Sequence, residues 1–300
     1  MADHQVLDVA IIGGGPAGLT ASLYLARFLR SVAVFDAGDS RAALIPLSKN
    51  FPGFPEGISG EDLLRRLRRQ ATDFGVKIVA APVEALDVRQ GTFTLWTPAG
   101  KSHATYVILA TGIVDKAPAI SGLREGISTG AIRFCPVCDG YEVSGQRIGI
   151  VGEDDDAIKE AIFLRRYSPH IFILANYPED VGRAARKQAA DADIEIWDIV
   201  DDVAVVETGV EVRLAEGSAL LHLDVLYCAM GCEVRSELAT NIGADCDQKG
   251  FVSVGPNLET SVPGLYAIGD VAQALNQIVV GCGHAAIAAA DINNALRGRK

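Results

Sequence analysis

Short, almost unbroken apolar runs alternate along this chain with stretches whose apolar residues recur at helical spacing. "LDVAIIGGG" reads as a strand running into glycines, Ala17 to Leu29 as a helix, and "SVAVFDAG" as the next strand, so the first 40 residues form a βαβ unit. Strands this uniformly apolar are those of a parallel sheet covered by helices on both faces. The text changes around Asp115 to Pro118. A second βαβ unit follows in "RIGIVG", a helix through Arg166, and "HIFILAN". After about residue 245 come "GLYAIGD" and an Ala-rich helix from Cys282 to Leu296. The pattern predicts an α/β chain with two nucleotide-binding-type domains, the second inserted into the first. Residues 1–115 and 245–300 make the outer domain and 116–244 the inner one.

The 300 residues suffice for two cores of ordinary size, and 49% hydrophobic with 22% charged is a soluble globular composition. No apolar run reaches the ~18 residues of a membrane span. The start, "MADHQVLDVAIIGGG", has no basic region and enters a strand at once, unlike a signal peptide. A net charge of -11 disfavours nucleic acid and anionic membrane as partners. Six cysteines without a secretion signal point to a reducing, cytoplasmic setting in which a close pair serves chemistry or metal.

"GGGPAG" places Gly13, Gly15 and Gly18 in the G-x-G-x-x-G spacing of a Rossmann-like turn. The first glycine makes the tight turn, the second lets backbone approach a pyrophosphate, and the third lets helix and strand pack closely. The helix N-terminus then offers free N–H groups to phosphate. Asp36, closing the second strand, is placed to accept hydrogen bonds from an adenosine ribose. "RFCPVCDGYE" sets Cys135 and Cys138 two residues apart with Asp139 next. That spacing permits a reversible disulfide within one turn, with a carboxyl at hand to exchange protons with a thiolate. The alternative is half a zinc site completed by Cys228 and Cys232; the lack of a supporting histidine disfavours it, and no metal is expected.

"GGGPAG", "NFPGFPEGISGEDLL", "LATG", "CPVCDGYE" and "GLYAIGDV" together resemble the low-molecular-weight thioredoxin reductases, along the whole chain. The resemblance implies a homodimer with FAD held by the discontinuous domain and an inner domain that carries the cysteines and would bind NADPH. By position, Cys135 would attack the outside disulfide, Cys138 would lie against the flavin, and Asp139 would act as acid and base. Pro16 and Ala17 of the glycine turn, Asn50 of "NFPGFP", and Thr111 and Gly112 of "LATG" fall on cofactor-binding motifs. Gly269 and Asp270 match the second FAD motif, and Asn276, Gln277 and Ile278 the flavin's polar edge. His284, at the start of a helix aimed at the flavin in this family, is placed to relay protons between flavin, Cys138 and solvent. Cys228, Cys232 and Cys246 are expected to pack in the core, and "LLRRLRRQ" to form a solvated helix face.

The inner domain departs from the family. Its second glycine position is Asp154, flanked by Glu153, Asp155 and Asp156, and the arginine cluster that holds a 2′-phosphate falls on Ala175, Asn176, Tyr177, Pro178, Glu179 and Asp180. Only Arg183 and Arg186 follow. The expectation is a flavoenzyme passing electrons between FAD and a thiol or disulfide through Cys135 and Cys138 without NADPH. It would be a dithiol oxidase using oxygen, or a reductase fed by ferredoxin or a flavin, and its partner a thioredoxin-like protein or a small dithiol or disulfide. The alternatives are an ordinary NADPH-dependent thioredoxin reductase and, third, a non-catalytic redox sensor.

Overall fold

A computed structural model describes residues 6–152, 154–175, 182–198, 200–214 and 220–298. The chain divides into two compact units, 1–44 with 58–114 and 233–300, and 45–57 with 115–232. The return to the first unit thus falls at 232/233, twelve residues before the expected 244/245. Ala239, Ala244 and Val252 explain this: they are buried in the core of the first unit. The segment carrying Asn50 groups with the second unit.

The first unit begins with β1 (Leu7–Ile12), α1 (Pro16–Arg27) and β2 (Val32–Phe35). Val9, Ala10, Ile11 and Val34 are wholly buried, as continuous apolar strands require. α1 stops two residues before the expected end, because Leu29 takes a left-handed backbone (φ 61°) that ends the helix. α2 (Gly60–Asp73) follows, its Ser59 hydroxyl accepting from the Asp62 N–H as an N-cap. β3 (Lys77–Val79), β4 (Ala85–Arg89), β5 (Thr92–Thr97) and β6 (Gly100–Leu109) complete a sheet of order β3-β2-β1-β6-β5-β4. β3, β2, β1 and β6 run parallel; β4 and β5 form an antiparallel extension.

The second unit has its own parallel sheet of order β10-β9-β8-β14-β7. Its strands are β7 (Ile132–Arg133), β8 (Arg147–Gly152), β9 (His170–Ala175), β10 (Glu195–Asp198) and β14 (Val225–Ala229). β11 (Val200–Val206), β12 (Gly209–Leu214) and β13 (Leu220–Leu223) form a separate antiparallel sheet. α3 (Pro136–Asp139) is a single turn, and α4 (Asp154–Leu164) and α5 (Arg183–Asp191) cover the parallel sheet. α4 begins at Asp154, not at Ala157, so the three aspartates occupy its first turn, where carboxylates stabilise a helix dipole. It ends at Leu164, before the expected Arg166.

Back in the first unit, β15 (Leu265–Ala267) pairs parallel with β6, and α6 (Ile278–Arg297) packs on α1. α6 starts four residues before the expected Cys282, so Gln277 is its N-cap. Both units are thus Rossmann-like α/β folds, one interrupting the other.

Candidate active site

The first glycine turn is tight for identifiable reasons. Gly13 has φ 114°, and a Cβ there would strike the Ala110 carbonyl at the end of β6; a Cβ on Gly18 would strike the Gly13 carbonyl. The "LATG" segment is therefore the wall against which the turn is pressed. Gly15 caps α1 with no side-chain hydrogen bond, Pro16 opens the helix, and its first turn holds no acid. Donors and positive dipole are left for an anion. The Thr111 hydroxyl donates to the Arg235 carbonyl at 2.6 Å, and Gly112 takes φ 70°.

Asp36 is buried, its carboxylate receiving Arg68 Nη2 at 2.7 Å and the Gly38 N–H at 2.9 Å. Sequence reasoning missed Arg68. The "LLRRLRRQ" segment does bury Leu63 and Leu64 and expose its four arginines, but Arg68 reaches back to hold the buried Asp36. A buried aspartate needs a cation or donors, which is the signal that could have found it.

Gly269, Asp270 and His284 come together beside the turn. A Cβ on Gly269 or Gly281 would press on Ala17, so both glycines admit the helix start of α1 closely. Arg41 Nη1 lies 3.4 Å from Asp270 Oδ2, a contact not foreseen from the sequence. The Gly269 N–H donates to His284 Nδ1 at 3.3 Å, which leaves the ring proton of the neutral histidine on Nε2. Burial lowers the His284 pKa, opposed by the Asp270 charge. Asn276 Oδ1 is buried with no hydrogen-bond partner, an acceptor awaiting a donor. Glycine cradle, free helix donors and this orphaned acceptor fit a flavin dinucleotide. Asn50 is exposed and accepts from the Ser48 hydroxyl at 3.0 Å in the segment grouped with the second unit.

In the second unit Cys135 and Cys138 form a disulfide, with Cα atoms 5.3 Å apart. α3 makes this possible: Cys135 is its N-cap and the Cys138 N–H returns to the Cys135 carbonyl at 2.9 Å. Asp139, next in the turn, has Arg133 Nη1 at 2.9 Å and the Tyr227 hydroxyl at 2.7 Å. Burial raises the Asp139 pKa, while Arg133 and Tyr227 pull it down and Glu142 adds to the rise. The net rise moves the carboxyl toward the range where it can both give and take a proton at physiological pH.

Of the remaining cysteines, Cys228 is buried and its thiol is pushed up to about 12 by burial and the charges of Asp115 and Glu160, so it stays protonated. Cys246 is half-buried and packs against the core of the first unit, whereas Cys232 is half-buried, short of the core placement expected. Cys282 lies 3.4 Å from the Thr20 hydroxyl. Among the described residues no group of three or more His, Cys, Asp or Glu could hold a metal ion, and no helix is long and apolar enough to cross a membrane.

The acidic run is seen in part. Glu153, the side chains of Asp154 and Asp155, and Asn176 to Val181 lie outside the described residues. Asp156 is exposed and pairs with Lys159 at 3.2 Å. Arg183 is exposed and Arg186 half-buried at the start of α5. Glu160, one turn into α4, has a buried Oε2 with no hydrogen-bond partner, and burial followed by the Asp156 charge pushes its pKa up to about 7. The unfolded chain loses this proton near 4.5 and the folded chain near 7, so stability falls as pH rises through that window. At 1.36 kcal/mol per unit the cost approaches ~3 kcal/mol, less a discount for partial exposure. Glu160→Gln is expected to match the parent at pH 4 and exceed it by about 1–3 kcal/mol at pH 8. Denaturant midpoints at the two pH values check this, and an equal gain at both would show that ionisation is not the cause.

The chain matches the family model "Pyridine nucleotide-disulphide oxidoreductase" over residues 7–285. It is 33% identical to the thioredoxin reductase of Streptomyces coelicolor, covering 93% of this chain and 91% of that one. It is 31% identical to NADPH-dependent thioredoxin reductase 3 of Arabidopsis thaliana, covering 94% of this chain and 57% of the relative. The crystal structure of thioredoxin reductase from Streptococcus pyogenes superposes with a TM-score of 0.90 at 25% identity, covering 99% of this chain and all of the other. Membership of this family implies FAD, the group that the glycine cradle and Asn276 fit. The chain belongs to the pyridine nucleotide-disulphide oxidoreductases and is, within them, a thioredoxin reductase-like FAD-dependent enzyme acting on disulfides.

Proposed function

We propose that the chain exchanges electrons between FAD and a thiol or disulfide substrate through Cys135 and Cys138, without NADPH. The observation that carries the redox part is the Cys135–Cys138 disulfide with the Asp139 carboxyl fixed in the same turn. What supports the loss of NADPH is the contrast between the two helix starts. α1 opens with no acid in its first turn, whereas α4 opens on Asp154, Asp155 and Asp156 directly after Glu153.

The roles are those that the family resemblance assigns by position. Cys135 is the nucleophile toward the outside disulfide and Cys138 the partner of the flavin. Asp139 takes a proton from the thiol that attacks and returns it to the thiolate that leaves. Gly13, Gly15, Pro16, Ala17 and Gly18 hold the pyrophosphate, Asp36 the ribose, and Thr111, Gly112, Gly269 and Asp270 the middle of the cofactor. Asn276, Gln277 and Ile278 would meet the polar edge of its ring. FAD held by these residues would supply two-electron redox chemistry, linking the cysteine pair to oxygen, ferredoxin or another flavin. His284, neutral and protonated on Nε2, relays protons at that ring. Thioredoxin-like proteins and small dithiols or disulfides are the substrates of this chemistry.

A second reading, an ordinary NADPH-dependent thioredoxin reductase, is favoured by the names of the relatives. One anaerobic experiment separates them: oxidised holoenzyme is mixed with NADPH, with NADH and with a small dithiol while the visible flavin band is followed. The proposal expects bleaching by dithiol and none by either nicotinamide. Rapid bleaching by NADPH would establish the second reading, and recovery of colour on admitting oxygen would mark the dithiol oxidase.

A further inference from the structure

Asp139 is gripped on both carboxyl oxygens by Tyr227 and Arg133, to which the sequence alone assigns no role. The Tyr227 hydroxyl donates to Oδ1 at 2.7 Å, and Arg133 Nη1 lies 2.9 Å from Oδ2. The two donors are neighbours by construction. β7 and β14 are adjacent parallel strands, and Tyr227 is the register partner of Arg133, so both side chains leave the same face of the sheet. Tyr227 is wholly buried within an otherwise apolar strand. A buried hydroxyl requires a partner, and here it finds Asp139, 88 residues away in sequence. Arg133 also donates through Nε to the Gly130 carbonyl at 2.9 Å, which fixes the guanidinium before Asp139 is considered.

We propose that Arg133 and Tyr227 are positioning residues of the thiol–disulfide step: they clamp both oxygens of Asp139 beside the Cys135–Cys138 bond and set how readily it gives its proton to the leaving thiolate. The proposal rests on the acid–base role of Asp139. The groups that face Asp139 are Arg133 from β7, Tyr227 from β14, and Glu142 from the turn after α3. Burial of the carboxyl favours its neutral form, and the two donors oppose it. Removing either donor therefore leaves burial less opposed. The Tyr227 pKa is itself pushed up, first by burial and then by the Asp139 charge, so the phenol remains a donor over the working pH range.

The step can be followed with dithiothreitol. Its thiolate attacks one sulfur of Cys135–Cys138, the S–S bond breaks, and the departing thiolate takes the proton of the Asp139 carboxylic acid. The second dithiothreitol thiol then closes the six-membered disulfide ring and releases the other cysteine. Dithiothreitol is oxidised by two electrons, the cysteine pair is reduced by two, and Asp139 regains a proton from solvent. Because the acid form assists, the rate per dithiothreitol thiolate is full below the Asp139 pKa and falls as pH rises through it.

The test uses anaerobic holoenzyme, acid quench and assay of the cyclic dithiothreitol disulfide, which counts the electron pairs taken up whether they rest on the cysteines or have passed to the flavin. Tyr227→Phe and Arg133→Gln are expected to move this fall to higher pH by about one unit, the lower end of what a neighbouring charge or charged-form hydrogen bond does. Arg133→Lys should restore most of the parental profile, and Asp139→Asn should abolish the fall. Tyr227→Phe removes one oxygen from a preserved ring and decides the matter if the arginine variants do not fold. If Tyr227→Phe keeps the parental profile while Asp139→Asn is flat, the clamp is overturned and the acid–base role of Asp139 stands. If Asp139→Asn also keeps the parental profile, both are overturned.

Discussion

Cys138→Ser is expected to bind FAD normally yet lose bleaching by a small dithiol, with the rate falling by on the order of 10³-fold or more, the scale on which enzymes lose turnover with a nucleophile. The physical reason is that the reaction needs two sulfurs in one turn. Cys135 alone can form a mixed disulfide with a substrate, but it has no neighbouring thiol to displace that substrate as a thiolate or to carry the electron pair onward. α3 supplies that neighbour by returning the Cys138 N–H to the Cys135 carbonyl and setting the Cα atoms 5.3 Å apart. A hydroxyl in place of the Cys138 thiol keeps the turn and removes the chemistry. His284→Gln provides the contrast. It spares the sulfurs and removes an acid–base group, so bleaching should persist and slow by about 10²-fold. Persistence of the parental rate in Cys138→Ser would overturn the assignment of that cysteine, and an unchanged rate in His284→Gln would reduce His284 to a packed side chain.

Those elements of the fold that depend on local pattern were legible in the sequence. β1, β2, β8 and β9 are continuous apolar runs, and Gly13 and Gly18 of the first turn sit where a Cβ would collide with backbone. The antiparallel additions, β4 with β5 and β11 through β13, were not foreseen, because their strands are short, part-exposed and interrupted by charges. The early start of α6 was missed because Ile278, Val279 and Val280 are β-branched and favour helix weakly; packing of Gly281 against Ala17 and Gly269 overrides that preference. In the site, the candidates legible in the sequence are those that stand in motifs, and the partners that only the tertiary fold brings to them were missed. Arg68 reaches Asp36 from 32 residues away and Tyr227 reaches Asp139 from 88. Spacing cannot report such pairs. A tyrosine inside the apolar run "DVLYCAMG" does report that a buried hydroxyl must be satisfied somewhere.

Neutralising the acidic helix start should raise NADPH affinity more than any other change in the second unit. Two like charges about 4 Å apart repel by ~1 kcal/mol in water and ~4 kcal/mol near a protein surface. Since 1.4 kcal/mol is a decade in affinity, each carboxylate near a phosphate forfeits roughly tenfold or more. The combined variant Glu153→Gln, Asp154→Gly, Asp155→Asn is therefore expected to tighten NADPH binding by about 10²-fold or more in calorimetric titration of the oxidised holoenzyme. Asp156 is left in place, since it is exposed and paired with Lys159. Two single variants divide the effect. Asp154→Asn removes a charge and keeps a side chain, whereas Asp154→Gly also restores the glycine that lets backbone approach phosphate. A gain confined to Asp154→Gly would assign the block to shape. A gain shared by both and weakened by salt would assign it to charge, because screening over a Debye length of about 8 Å acts on charge and not on shape. Saturable micromolar binding of NADPH by the unmodified protein would overturn the argument at its root, since the acids would then be serving the helix without opposing the nucleotide.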